Sequence, residues 1–361
     1  MTQINPVTFL VYCSATKVLL LIFSYYAMML KRLLAVISLL VVAIFLLLWY
    51  ASSPGIDSDH YYTTVDYAID TTQELQLRLK EQPHLVVMTY NLGYLSGMTN
   101  NRSITREESF FRKNLFKACE LIQGIDPTIV GLQEVDFGAA RSFYLNQLDS
   151  LSKAGQYTSA YRSINWDKNY VPFPYWPPSN HFGQMLSGQA ILSKYKLHSS
   201  ETVVLTPHLN APFYYKAFYL DRLLQISILD FFDTEIAILN VHLEAFDLQT
   251  RLEQIEIVKR HYEKYASKQP VILLGDFNSG VPGNGTEQDA VEALMDASFI
   301  RSAIPFKQAA QNGTFPSDSV SRMIDYVFYN KNFLSCTEAS AVHEVGAISD
   351  HLPVVARFSL N

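Results

Sequence analysis

The chain has 361 residues, 49% of them hydrophobic, with 28 Lys and Arg against 34 Asp and Glu. This length suits one large α/β domain or two small ones. The first fifty residues hold three bases and no acid, so the remainder has 25 bases against 34 acids and a net charge of −9. Such acidity disfavours non-specific binding to a DNA backbone, which needs clustered Lys and Arg. The spacing of Cys13, Cys119 and Cys336 matches no zinc or disulfide framework.

An apolar segment precedes the rest of the chain. Residues 33–50 form an uncharged run of 18 residues, a length that can just cross a bilayer. Lys31 and Arg32 come directly before it. By the positive-inside tendency these bases stay in the cytoplasm and everything after residue 50 lies across the membrane. We expect a single-pass anchor; a cleaved signal peptide is the alternative, although the run is longer than a usual signal core.

A second apolar stretch, residues 7–30, is interrupted by Lys17. If both stretches cross the membrane, their connection is little more than Lys31 and Arg32. Translation could instead begin at Met28 or Met29, and either way the later domain is exported. We therefore expect a membrane anchor or signal-anchor at 1–50, a polar tether with a short helix near 71–81 at 51–83, and a catalytic domain at 84–361.

From residue 85 the chain alternates between short apolar runs and helical apolar spacing. The predicted strands are 85–90, 128–132, 158–162, 188–193, 223–229, 235–241, 271–274, 324–329 and 353–358. The predicted helices are 107–123, 142–153, 248–265 and 288–297. Antiparallel-looking neighbours mixed with long crossover helices predict an α/β fold: a four-layer α-β-β-α sandwich of two mixed sheets flanked by helices.

Five short segments place an Asn, Glu, Asp or His at the end of an apolar, β-rich run. They are Thr-Tyr-Asn91, Leu-Gln-Glu134, Asn-Val-His242, Gly-Asp276-Phe-Asn278 and Ser-Asp350-His351. Carboxylate and amide oxygens that converge from several strand ends suit a hard cation such as Mg²⁺. Two histidines beside such a cation suit the hydrolysis of a phosphoester.

These five segments, in this order and with these spacings, resemble the endonuclease/exonuclease/phosphatase superfamily over about residues 85–359. Its members include pancreatic deoxyribonuclease, apurinic endonucleases, neutral sphingomyelinases and inositol polyphosphate 5-phosphatases. The most specific part is Gly-Asp-Phe-Asn followed about 70 residues later by Ser-Asp-His-Leu-Pro. The resemblance implies Mg²⁺ or Mn²⁺ as the cofactor, with Glu134 as the main ligand and Asn91 and Asp350 close to the same metal.

The resemblance also implies roles for the catalytic residues. Asp276 would orient and deprotonate the attacking water, and Asn278 would hold the scissile phosphate or a second cation. His351 would contact the phosphate, with Asp325 hydrogen-bonded behind it to fix its tautomer. His242 would stabilise charge on the transferring phosphoryl oxygens.

Candidate substrate contacts are less specific. Arg222 could reach the phosphate or form a structural salt bridge, and Gln189 is expected near the pocket. Residues 170–182 hold five aromatics and four prolines, including Tyr175 and Trp176. Such a stiff loop could bind an apolar part of the substrate or enter a lipid headgroup layer, or it could be a self-packed surface loop.

These observations favour a membrane-anchored, Mg²⁺-dependent phosphodiesterase that uses water to cleave a lipid-linked or small-molecule phosphoester. An exported metal-dependent nuclease is the first alternative, and nucleic acid is the less expected partner. A catalytically silent binding module on the same fold is the second. The sequence indicates the membrane as a partner through its first segment and allows no inference about a protein partner.

Overall fold

The computed structural model describes residues 6–67, 84–283 and 289–361. The chain divides into two compact units, Met1–Ser52 and Ser53–Asn361. In the first unit, helix α1 covers Pro6–Ser52 without a break, so no turn separates the two apolar stretches at Lys31 and Arg32. Its part Lys17–Ser52 is long and apolar enough to cross a membrane, a criterion that signal sequences also meet.

The second unit is built on two mixed sheets. The seven-stranded first sheet has the strand order β1-β4-β5-β3-β2-β13-β12. Its strands are β1 Tyr62–Asp66, β2 Leu85–Asn91, β3 Ile129–Asp136, β4 Ser159–Val171, β5 Gly183–Ser193, β12 Leu334–Ala341 and β13 Val354–Leu360. In this sheet only β2 and β3 pair in parallel, and the other neighbours are antiparallel.

The six-stranded second sheet has the order β10-β11-β9-β8-β7-β6. Its strands are β6 Leu197–Val204, β7 Leu223–Phe231, β8 Thr234–His242, β9 Val271–Asp276, β10 Ile300–Ser302 and β11 Asp325–Asn330. Here β8 and β9 are the parallel pair, and the remaining neighbours are antiparallel. Each sheet therefore has one parallel pair, and the carboxyl ends of its two strands lie side by side.

Helices cover the outer faces of both sheets. They are α2 Glu108–Ile125, α3 Gln147–Ala154, α5 Leu248–Ala266 and α6 Ala290–Leu294, whereas the short α4, Phe213–Phe218, precedes β7 and buries none of its residues. Apolar residues of α2 and α3 pack on the first sheet, and those of α5 and α6 pack on the second. The predicted sandwich of two mixed sheets flanked by helices is confirmed.

A buried polar network crosses the gap between the sheets. Asn240 of β8 donates to the backbone oxygens of Leu132 and Ala190 at 3.1 and 3.2 Å, both in the first sheet. Its amide group also donates to Gln225 Oε1 at 2.8 Å and accepts from Gln133 Nε2 at 2.6 Å. Many aliphatic and aromatic side chains pack around this network, and its hydrogen bonds give the contact between the sheets a fixed alignment.

The predicted tether contains an unpredicted strand. Residues 62–66 pair antiparallel with β4 and lie in the second unit, so this part of the segment 51–83 is structured. Asp167 of β4 also accepts hydrogen bonds from the backbone of Gly55 and Ile56 at 2.8 and 3.0 Å. Tyr, Thr and Val favour a half-exposed edge strand despite the polar composition. The helix expected near 71–81 lies outside the described residues.

Candidate active site

The carboxyl ends of the two parallel pairs meet and form the centre of the site. In the first sheet Asn91 ends β2, and in the second His242 and Asp276 lie opposite each other at the ends of β8 and β9. Asn91 Nδ2 donates to Asp276 Oδ2 at 2.9 Å, so a hydrogen bond joins the edges of the two sheets. Predicted strand ends that are 185 positions apart are thus brought into contact.

Glu134 reaches the site from within a strand rather than from its end. The sequence predicts that β3 stops before it, but β3 continues to Asp136 with a register shift between Leu132 and Val135. Glu134 has a φ of 52°, which is unusual for a residue other than glycine. A bulge of this kind redirects a side chain, and Glu134 lines the cavity. Asn100, which the sequence did not single out, donates to Glu134 Oε2 at 2.9 Å.

Asp276 is held by the Asn278 that follows it. The backbone N–H of Asn278 donates to Asp276 Oδ1 at 2.9 Å, and Asn278 Nδ2 lies 3.3 Å from Oδ2. Asn278 adopts a φ of 48°, a conformation that Asn tolerates well. Burial raises the pKa of Asp276 to about 6, although the nearby His351 opposes the shift. This carboxyl group is therefore buried, fixed in orientation and able to accept a proton near neutral pH.

His351 and Asp325 form the pair that the sequence predicts. His351 Nδ1 lies 2.9 Å from Asp325 Oδ2, and its Nε2 lies 3.8 Å from Asp276 Oδ2. Phe315 packs against the imidazole with ring centres 4.9 Å apart. Burial by itself lowers the pKa of His351, but the carboxylates of Asp325 and Asp276 outweigh it and raise that pKa well above its ordinary value. His351 is therefore an imidazolium at neutral pH.

His242 has the opposite electrostatic character. Its Nε2 lies 3.4 Å from Asp276 Oδ2 and 3.9 Å from Glu134 Oε1. Burial, together with the positive charges of Arg222 and His351, lowers the pKa of His242 well below its usual range. The site thus contains one charged and one neutral imidazole, each beside Asp276.

The donor set at the centre fits a divalent cation. Glu134, Asp276 and Asp350 line one cavity, and burial raises the pKa of each carboxyl group, that of Asp350 to about 6. Neighbouring carboxylates add to the rise for all three, and the nearby His351 opposes it. Oxygen ligands of this kind suit Mg²⁺. Glu134 and Asp350 are the residues that would hold it. The Asn91 amide is bonded to Asp276 and to the backbone N–H of Gly93, and Asn91 does not line the cavity.

A buried acid–histidine cluster lies beside these residues. Ligand-type atoms of Asp276, Asp325 and His351 all lie within 4.8 Å of one another. However, His351 Nδ1 lies 2.9 Å from Asp325 Oδ2, so these two ligand-type atoms are already hydrogen-bonded to each other. We therefore assign this cluster to proton and phosphate chemistry rather than to metal binding.

The cavity is large and mainly aromatic on one side. Its volume is about 680 Å³, and its aromatic lining includes Trp166, Phe173, Tyr175, Phe182, Phe218 and Phe246. Tyr175 is 73% exposed, whereas Phe173 packs against Trp166 and Phe182 in a small core cluster. Trp176 is 77% exposed and does not line the cavity. The loop 170–182 is therefore self-packed at its base and exposed at its tip.

Of the two other candidate substrate residues, one lines the cavity and one does not. Arg222 lines the cavity, and its Nε lies 3.5 Å from Glu244 Oε2. Gln189 is fully buried and absent from the cavity lining, so its predicted position near the pocket is wrong. Side chains alternate along β5, and Gln189 faces the gap between the sheets, as Ile191 does. The sequence also missed the cavity-lining residues Tyr94, Arg141, Phe315 and Arg322, which follow no periodic pattern.

Two mixed sheets flanked by helices, with acids, amides and histidines gathered at their adjoining edges, are the arrangement of metal-dependent phosphoesterases and nucleases. Residues 88–351 match the model of the Endonuclease/Exonuclease/phosphatase family, and the chain belongs to that family. The family is generally hydrolytic and depends on divalent metals. A comparison with curated proteins finds no match.

Solved structures with the same fold are distant in sequence. An endonuclease/exonuclease/phosphatase from Beutenbergia cavernae has 20% identity and a TM-score of 0.55, over 78% of this chain and 72% of its own. The human Nocturnin catalytic domain with bound sulfate has 18% identity and a TM-score of 0.53, over 85% and 100%. A mannosyl-6-phosphatase from Bacteroides thetaiotaomicron has 18% identity and a TM-score of 0.53, over 76% and 99%. At such identities the similarity shows the fold alone.

Proposed function

We propose that this protein is a membrane-associated phosphodiesterase that uses Mg²⁺ or Mn²⁺ and water to cleave a lipid-linked phosphoester. The observation that carries the proposal is the shared cavity: Glu134, Asp276 and His351 line the same 680 Å³ space as a set of aromatic side chains. A hydrolytic centre beside an apolar wall suits a substrate with a phosphoester next to an apolar part.

Asp276 is the proposed general base. Its Oδ2 accepts a hydrogen bond from Asn91, and its Oδ1 accepts one from the backbone of Asn278, so the carboxylate is oriented before substrate arrives. With a pKa of about 6 it is ionised at neutral pH, yet basic enough to take a proton from water. The water oxygen forms a bond to phosphorus as its proton passes to Asp276. The ester P–O bond breaks, its electron pair leaves with the alcohol oxygen, and that oxygen takes a proton from solvent water.

The two histidines act on the phosphoryl oxygens. His351, held as an imidazolium by Asp325, donates a charged hydrogen bond to a non-bridging oxygen, which stabilises the transition state. His242 is neutral and remains a hydrogen-bonding group beside Asp276. Glu134 and Asp350 would hold a divalent cation, which would supply positive charge that stabilises the phosphoester in the transition state.

The aromatic residues and the first helix support the lipid-linked class of substrate. Tyr175 and Phe246 line the cavity and are each 73% exposed. Helix α4 contributes Phe218 to the cavity and leaves Phe213 84% exposed. The chain also carries one helix that is apolar enough to anchor it at a bilayer. Burial of each large side chain against lipid would contribute about 1.5–3 kcal/mol.

The test is a panel of substrates assayed with Mg²⁺, with Mn²⁺ and in excess chelator. It comprises sphingomyelin, glycerophospholipids, inositol phosphates, bis(p-nitrophenyl) phosphate and plasmid DNA. We expect a lipid phosphodiester to be cleaved fastest and every activity to be lost in chelator, because the proposed ligands are oxygen atoms with no thiolate among them. Full hydrolysis in chelator would refute the metal assignment.

The same panel decides between the alternatives. A nuclease would cleave plasmid DNA fastest and lose affinity steeply with salt. A silent binding module would cleave nothing, but Glu134, Asp276 and His351 are all present around one cavity, which speaks against it.

A further inference from the structure

Two buried arginines line the cavity beside the proposed catalytic centre. Arg141 lies in the turn that follows β3, and Arg222 directly precedes β7. Their side chains are only 4% and 5% exposed. Arginine is rarely buried to this extent unless its charge is paired or bound to a ligand.

Each guanidinium is held from one side by a carboxylate that does not line the cavity. Asp136 accepts from Arg141 Nη2 at 2.8 Å and from Nε at 3.2 Å, and Tyr94 lies under the guanidinium with its ring centre 3.2 Å away. Asp136 is fixed in turn by Ser187 Oγ at 2.6 Å. This arrangement uses the Nε and Nη2 atoms of Arg141.

Arg222 is held in a similar way. Its Nε lies 3.5 Å from Glu244 Oε2, and its Nη2 donates to the Tyr219 hydroxyl at 2.9 Å. Arg141 Nη1 and Arg222 Nη1 are both buried and have no hydrogen-bond partner among the described residues. A buried charged donor without an acceptor is costly, and two of them around one cavity indicate an anion that the cavity receives.

The strand order places the two arginines on one side of the catalytic centre. Asp276 ends β9, and the order β9-β8-β7 puts Arg222 two strands away, about 10 Å at 4.8 Å per strand. His351 precedes β13, which lies on the other side of β2 from β3. Arg141 and Arg222 thus lie towards β5 and β7, on the side of Glu134 away from His351.

We propose that Arg141 and Arg222 form a subsite for a second phosphoryl group of the substrate, next to the phosphoester that is cleaved. The inference rests on the proposed function and narrows its substrate class to phosphoesters with a further phosphate, such as a diphosphate-linked or phosphorylated headgroup. A phosphoryl group has several acceptor oxygens, so it can take one N–H from each guanidinium.

The test compares two probes by calorimetry on the full chain in detergent, at a fixed concentration of free Mg²⁺. Methylphosphonate has one phosphoryl group, and methylenediphosphonate has two. We expect the wild-type protein to bind the diphosphonate at least about tenfold more tightly, the scale of one lost charged hydrogen bond. R141K and R222K keep a positive charge beside Asp136 and Glu244 but replace the forked guanidinium with a single ammonium nitrogen, and each should remove most of this preference.

The exposed Arg112 of α2 provides the matched control, because R112K should leave the preference unchanged. Equal weakening of both probes in R141K and R222K would mean that the arginines hold the scissile phosphate, and it would overturn the subsite. Absence of any preference in the wild-type protein would overturn it as well. A preserved preference in a protein that hydrolyses nothing would support the subsite and reject the proposed catalysis.

Discussion

The protonation states of Asp276 and His351 depend on burial and on the charged groups near them. We predict that Asp276→Asn or His351→Ala lowers kcat by about 10²–10⁴-fold, the scale for a lost general base or oxyanion contact. Asn cannot accept the proton of the attacking water, and Ala removes the imidazolium beside the phosphate. The measurement is steady-state hydrolysis of bis(p-nitrophenyl) phosphate at saturating Mg²⁺.

Both variants should keep the fold, since Asp276 is the last residue of β9 and His351 lies in the loop before β13. Asp233→Asn and His343→Ala are matched controls, because both residues are exposed and outside the cavity. Turnover at the wild-type rate with either site variant would show that the catalytic centre is elsewhere.

At the scale of elements, the sequence predicts strands well where one apolar run fills a buried strand, as in β2, β8 and β9. It misses all four edge strands, β1, β6, β10 and β12, which carry little apolar pattern. It also misplaces Glu134 and Gln189. The first depends on a bulge opposite β5 and the second on which face of β5 meets the other sheet. Both are set by partner strands far away in the chain, which local pattern cannot specify.

The tip of the loop 170–182 is the element whose function can be tested separately from the chemistry. We predict that the double change Tyr175→Ser and Trp176→Ser weakens hydrolysis of a bilayer substrate about tenfold or more relative to bis(p-nitrophenyl) phosphate. Both side chains are exposed, so their loss removes apolar area that lipid would bury. The measurement is the ratio of the two activities.

Phe116→Ser with Tyr144→Ser is the matched control, because these aromatics are 63% and 62% exposed and lie outside the cavity lining. Melting temperatures should be similar in both double variants. An unchanged activity ratio in the loop variant would end the idea of a lipid-binding rim, and a parallel fall of both activities with stability would point to self-packing alone.

For the whole molecule, we predict that the catalytic unit lies outside the cytoplasm. Lys31 and Arg32 precede the apolar run, and the positive-inside tendency keeps them in the cytoplasm. A phosphatase reporter that needs disulfides, fused after Asn361, should be active only in an oxidising compartment. Lys31→Glu with Arg32→Glu should reduce its activity. Activity of a cytoplasm-only reporter at the same position would reverse the topology.

The polar network around Asn240 has a mechanical consequence. The catalytic side chains are divided between two sheets, with Asn91 and Glu134 on one and His242 and Asp276 on the other. Aliphatic packing resists separation of the sheets but offers little resistance to sliding, since it has no direction. The hydrogen bonds from the Asn240 amide to the backbone oxygens of Leu132 and Ala190 do have direction, and they fix the position of one sheet relative to the other. If one sheet moved along the other by one residue, Asn91 would no longer face Asp276. The hydrogen bonds of Asn240 therefore keep the two halves of the catalytic centre aligned.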